Sequence, residues 1–127
     1  MPKATRKAEE SARRIVRERD GHRCQLCGRS IVDYPSSIHH RRPRGAGGSA
    51  LLEQPSNLVR LCGDGVRGCH GWLEANRQHA KDIGWILPKL NLAVRAEETP
   101  LLTVDGWVLL SDDGGRTPCA PPGEVSA

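Results

Sequence analysis

Between residues 5 and 20, Ala8, Ala12, Ile15 and Val16 fall on a narrow apolar stripe at helical spacing, and charged side chains fill the other positions. The pattern predicts a helix over 5–20, capped by Thr5 and ended at Asp20-Gly21. Arg6, Lys7, Arg13, Arg14 and Arg17 are left for its remaining surface. Cys24-Gln25-Leu26-Cys27-Gly28-Arg29 reads as a tight turn. Ile31 and Val32 begin a strand that Tyr34-Pro35 interrupts, and 38–42 is a short extended segment stopped by Pro43. Gly45, Gly47, Gly48, Pro55 and Ser56 make 43–56 a loop. The branched alternation of 58–62 predicts a second strand. A glycine-rich connector over 63–68 leads to a helix starting at Cys69 or His70 and running to about Lys81. Later, 101–104 and 107–110 flank Asp105-Gly106, a strong hairpin signal. The chain thus divides into a basic helix at 1–20, a central domain at 21–87, an extension with a hairpin at 88–115, and a tail at 116–127 expected to lack structure. There is no internal repeat.

Composition changes this picture in one respect. The 127 residues include no Phe, three Trp and one Tyr, so the core is too thin to fold comfortably unaided and a metal or disulfides should help hold it. The first ten residues are charged, without the apolar stretch of a signal peptide, and no run approaches a membrane span. A cytoplasmic protein is expected, with reduced thiols and no membrane partner. Its five cysteines then favour metal binding over disulfides.

Charge is unevenly spread. Residues 1–44 hold twelve Lys/Arg against five Asp/Glu, and 45–127 hold seven against ten. A basic front half suits a polyanion, and DNA is the leading candidate. A merely solubilising arm would look the same by charge alone.

Cys24-x2-Cys27 is followed, thirty-five residues on, by Cys62-x6-Cys69. Two such pairs can supply four thiolates to one tetrahedral zinc with no open position for water, a structural site. Iron in a rubredoxin-like site and disulfides are the alternatives. Cys119 lies in the Pro-rich tail as an expected unpaired thiol.

A second group of residues carries candidate chemistry. His39 and His40 are adjacent on an extended segment, so their side chains point to opposite sides. One can bind a cation while the other takes a proton. On a continuous helix, at about 100° per residue, Glu74, Arg77 and Lys81 would all fall within about 40° of His70, while His79 would lie about 180° away. The stripe reads as metal ligands followed by phosphate contacts. Separately, each feature has an ordinary reading: solvated histidines, His70 as a further zinc ligand, Asn57 as a turn or cap residue, Glu74 and Arg77 as a surface pair.

Taken together, His39-His40, Asn57 in Ser56-Asn57-Leu58-Val59, and Cys69-His70 resemble the His–Asn–His motif of HNH endonucleases. The cysteine pairs resemble the zinc-stapled subtype. The text around the three motifs is similar to small HNH proteins of bacteriophages, which are often encoded near DNA-packaging genes. The resemblance covers roughly residues 14–87. It implies an α+β ββα-metal, treble-clef-like domain. Position by position, it implies His40 as the general base, His39 and His70 as ligands of a catalytic divalent cation, and Asn57 as a brace that helps to orient His40. Glu74 stands where many relatives carry His, and its carboxylate suits Mg2+ or Mn2+, although another divalent transition metal is possible in such a site. Arg41, Arg42 and Arg44, directly after the base, together with Arg77 and Lys81, are expected to contact DNA phosphates. The implied activity is hydrolysis of DNA phosphodiester bonds, by nicking or double-strand cleavage, with phage terminase or packaging proteins as further partners. The rival expectation is a non-catalytic zinc-stapled module that binds DNA or serves as a packaging adaptor.

Overall fold

The computed structural model describes residues 5–43 and 50–123. Among them, α1 spans Arg6–Asp20, β1 Ser36–His40, β2 Leu58–Cys62, α2 Gly68–Ala75, α3 Arg77–Asp82, β3 Leu101–Thr103, β4 Gly106–Leu110 and β5 Arg116–Pro118. The architecture is a small α+β domain with two antiparallel sheets, β1-β2 and β3-β4-β5. No helix among the described residues is long and apolar enough to cross a membrane.

The first helix forms where the apolar stripe places it. The Thr5 hydroxyl caps it by accepting from the Ala8 N–H at 3.1 Å, and Gly21 at φ 64° ends it. Ala12 and Val16 pack on Leu58 and Ile38, so α1 covers one face of the β1-β2 hairpin. A buried pair fastens the contact: the Arg19 guanidinium forks onto Asp20 at 2.7 and 2.9 Å. It also donates to the Pro55 and Leu58 carbonyls, and Asp20 accepts from the Arg60 N–H.

The hairpin's other face meets the main core of Val59, Leu61, Leu73, Ala80, Trp85, Leu101, Val108 and Leu110. The C-terminal sheet therefore belongs to the same core as the cysteine-bearing knuckle. Its β3 edge docks by main-chain bonds, Val104 N–H to the Gln25 carbonyl at 2.8 Å and Leu102 N–H to the Ile83 carbonyl at 2.9 Å. Thr117 pairs with Leu109 in β5, so the first part of the tail expected to lack structure adds the third strand. That sheet gains a strand because 111–115 turn the chain back: Ser111 and Asp113 accept from the Gly115 N–H.

Two further expectations need correction. Ile31 and Val32 form no strand; only a bridge between Arg23 and Ser30 closes the knuckle. The helix expected from 69 or 70 to about 81 is broken at Asn76, whose φ −128°, ψ 52° is not helical. There the Asn76 N–H makes the last ladder bond of α2 to the Trp72 carbonyl, and the Asn76 side-chain amide donates to the same oxygen.

Arg41 explains how so small a core closes. It is fully buried and its guanidinium donates to the Gly84, Ser56, Ala96 and Thr99 carbonyls at 2.8–3.1 Å. Arg42 reaches the Pro88, Asn91 and Val94 carbonyls. Both guanidiniums face inward because the segments after α3 and before β3 hold only one short 3-10 turn, Ala96–Glu98, and leave carbonyls that need donors. The two arginines expected to hold DNA phosphates are thus engaged inside the fold. Arg44 lies outside the described residues.

Replacing Arg41 with Met strips donors from four carbonyls and should lower unfolding free energy by about 3 kcal/mol or more. Arg41→Lys should recover little, because one ammonium cannot span the fork. A denaturant midpoint close to that of the unaltered chain would contradict this role.

Candidate metal centres and active cleft

The four cysteines expected to form the staple converge. Cys24 and Cys27 lie on the knuckle, Cys62 ends β2 and Cys69 opens α2, and their sulfurs all lie within 4.8 Å of one another. Cys27 Sγ and Cys62 Sγ are 3.9 Å apart. Bonds of about 2.3 Å around a tetrahedral zinc put sulfurs about 3.8 Å from each other, so the spacing fits such an ion and is far beyond a disulfide bond. Backbone N–H groups of Cys27 and Cys69 point at the sulfurs of Cys24 and Cys62, each at 3.4 Å, as suits thiolates. Burial and then the charge of Cys24 push the Cys69 thiol upward, a penalty that a divalent cation would cancel. These four residues could hold a metal ion such as zinc. The wide second pair closes because Gly63 sits at φ +86°, where a Cβ would lie 1.9 Å from the Arg67 carbonyl oxygen. Cys119 lies apart on the partly exposed strap after β5.

A second cluster forms beside the first. Donor atoms of His39, His70 and Glu74 also lie within 4.8 Å of one another. They come from different elements: His39 from β1, His70 and Glu74 one turn apart on α2. Since Cys69 belongs to the thiol cluster, that cluster fixes where His70 stands in the first turn of α2. The His39 and His70 ring centroids are 5.3 Å apart, edge to face.

Hydrogen bonds behind the two rings determine their tautomers. His39 Nε2 lies 2.6 Å from the Trp85 carbonyl oxygen, which can only accept, so Nε2 carries the proton and Nδ1 the lone pair. The Ser37 hydroxyl donates to the Gly63 carbonyl at 3.0 Å. Its single proton is thereby used, and His70 Nδ1, 2.7 Å away, must donate to it. The lone pair of His70 is left on Nε2. Burial holds His39 down to about 4 and also lowers His70, so both rings are neutral near neutral pH. Neutral imidazoles with outward lone pairs and backed N–H groups are the form that ligates cations.

His40 turns the other way on β1. It shares the α1-facing side with Ile38, and its Nε2 lies 2.9 Å from Oε1 of the buried Glu53. His39, His40, His70 and Glu74 nevertheless line one cleft of about 530 Å³, with Arg13 from α1 and Arg77 from α3 on its walls. Arg77 keeps its place despite the helix break by bonding Glu74 at 2.9 Å. Lys81 is exposed on α3 and does not line the cleft. His79 packs edge to face on Trp72, away from it. Asn57 is buried; its oxygen accepts from the Arg42 N–H at 2.7 Å and its amide donates to the Leu52 carbonyl at 2.9 Å.

Sequence reasoning missed Ser37, Glu53, Trp85 and the entry of Arg13 into the cleft. Strand period offered a signal for Ser37, which shares the face of His39 two residues on. Nothing local marks Glu53, Trp85 or Arg13, whose roles arise from chain segments brought together by packing.

Cys24→Ser should remove bound zinc and unfold the domain, as read by metal analysis and circular dichroism, whereas Cys119→Ser should leave both unchanged. Stable, folded protein that contains no zinc would refute the staple. Comparison with protein families, with curated proteins and with solved structures finds no match.

Proposed function

We propose that this chain is a metal-dependent DNA endonuclease of the HNH type, with a ββα-metal fold stapled by zinc. The observation that carries the reading is the convergence of two neutral, pre-oriented imidazoles and a carboxylate on one point, in the same cleft as a third imidazole that is not part of that cluster. A purely structural metal site would not need the extra histidine in an open cleft.

Phosphodiester hydrolysis requires an activated water, stabilisation of charge on phosphorus, and help for the leaving oxygen. A divalent cation such as Mg2+ or Mn2+ held by His39, His70 and Glu74 would supply Lewis acidity for the last two. His40 serves as general base and accepts the water proton. Arg13 and Arg77, on the two walls of the cleft, replace Arg41 and Arg42 as the phosphate contacts. Guanidiniums that contact phosphates carry no sequence information, so weak sequence preference is expected. Asn57 has the bracing role: it ties the backbone just after His40 to the 50–53 turn.

Plasmid incubated with the protein and Mg2+ or Mn2+ should be nicked or cut, and EDTA should stop the reaction. His40→Ala should lower cleavage by about 100- to 10,000-fold, to a measurable residual rate, while DNA binding, measured by filter retention or anisotropy, persists. Undiminished cleavage by His40→Ala would eliminate the mechanism; DNA binding without cleavage by the unaltered chain, with every cation tried, would favour the non-catalytic module. Ser37→Ala removes the acceptor behind His70 and should weaken the catalytic cation by about 10- to 100-fold in a Mn2+ titration of activity. An unchanged titration midpoint would show that Ser37 does not set the His70 tautomer.

A further inference from the structure

On the side of β1 that faces α1, the His40 ring meets a carboxylate with no part in the metal cluster. His40 Nε2 is 2.9 Å from Glu53 Oε1. Glu53 Oε2 is 3.6 Å from the Arg13 guanidinium. The two partners are 10% and 6% exposed, so the bond is shielded from water. A carboxylate only accepts, which puts the proton of a neutral ring on Nε2 and the lone pair on Nδ1. Arg13 and His40 both face the buried Glu53 carboxyl, as burial of an acidic side chain requires.

The mounting of this pair is specific. Glu53 stands on the 3-10 turn Ala50–Glu53. The Asn57 amide clamps that turn at Leu52 with one end and the backbone of Arg42 with the other. One side chain therefore sets the spacing between the segment that carries the base and the segment that carries its carboxylate.

We propose that Glu53 is the positioning residue for His40, a role that rests on the nuclease reading above. It selects the Nε2–H tautomer, holds the ring in the cleft and stabilises the imidazolium formed during the reaction. In that step the water O–H bond breaks and its proton goes to Nδ1 of His40. The water oxygen bonds to phosphorus, the bond from phosphorus to the leaving oxygen breaks, and that oxygen takes a proton from solvent. Glu53 takes no proton in this step, the role of a carboxylate behind a catalytic histidine.

The test is a double-mutant cycle on the full, zinc-loaded chain with plasmid DNA and Mn2+, using Glu53→Gln, His40→Ala and the combination. Glu53→Gln should lower kcat by about 10- to 100-fold with KM for DNA unchanged. In the His40→Ala background the same change should have no further effect, because the group it serves is gone. Full activity of Glu53→Gln, or an equal loss in both backgrounds, would overturn the proposal; the second result would mark Glu53 as a fold residue only. Should Glu53→Gln lose its zinc and fail to fold, nitrogen NMR of histidine-labelled wild type at mildly alkaline pH decides instead. An Nε2–H ring for His40 supports the pairing, whereas an Nδ1–H ring or an imidazolium overturns it. If wild type cleaves with no cation tried, the nuclease reading fails, whatever the Glu53 variant does.

Discussion

One buried guanidinium sets the spacing of the whole molecule. Arg41 follows the His39-His40 pair at the end of β1 and donates to carbonyls before β2, between α3 and β3, and in the turn that leads into β3. A chain without Phe has little apolar area to hold these irregular segments together. A fork of fixed geometry can bridge several carbonyls at once, which no pair of apolar side chains could do. The site inherits that rigidity. The Trp85 carbonyl that orients His39 belongs to the residue after Gly84, one of the segments Arg41 grips.

The cleft is a case of protons placed from behind. Each of its three histidines has one nitrogen bonded away from the open side: His39 to a carbonyl, His70 to a serine whose own proton is already given, His40 to a carboxylate. The backing groups differ, and so does the chemistry they suit. Neutral acceptors behind buried rings favour neutral ligands of a cation, while a carboxylate stabilises a ring that gains charge. The difference follows from strand geometry. Ser37 and His39 face the thiol cluster and α2, whereas Ile38 and His40 face α1, so neighbouring histidines enter different environments.

Four thiols and the C-terminal sheet complete the support. The cysteines join the knuckle, the end of β2 and the start of α2. From the other side, β3 bonds to the knuckle at Gln25, and Leu101, Val108 and Leu110 pack in the same core as Leu73 and Trp85. The helix that bears His70 and Glu74 is thus held at its first turn by the sulfur cluster and along one face by Leu73.

Much of this was legible from the chain alone, where the signal is local. The span of α1, the bounds of β2, the Asp105-Gly106 hairpin and the pairing of Cys24-x2-Cys27 with Cys62-x6-Cys69 follow from periodicity, turn chemistry and ligand spacing, which depend on residues near one another. The alignment of His70 with Glu74 on one helical turn follows in the same way, whereas the choice of His39 over His40 as their neighbour rests on the resemblance to the HNH motif. What the chain alone could not reveal depends on distant partners. Arginine in a basic stretch reads as surface charge, yet Arg41 and Arg42 face inward because carbonyls 15 to 58 residues away need donors. The break at Asn76, the strand at 116–118 and the Glu53 carboxylate behind His40 have the same origin: hydrogen-bond demand and packing, settled only when the segments meet.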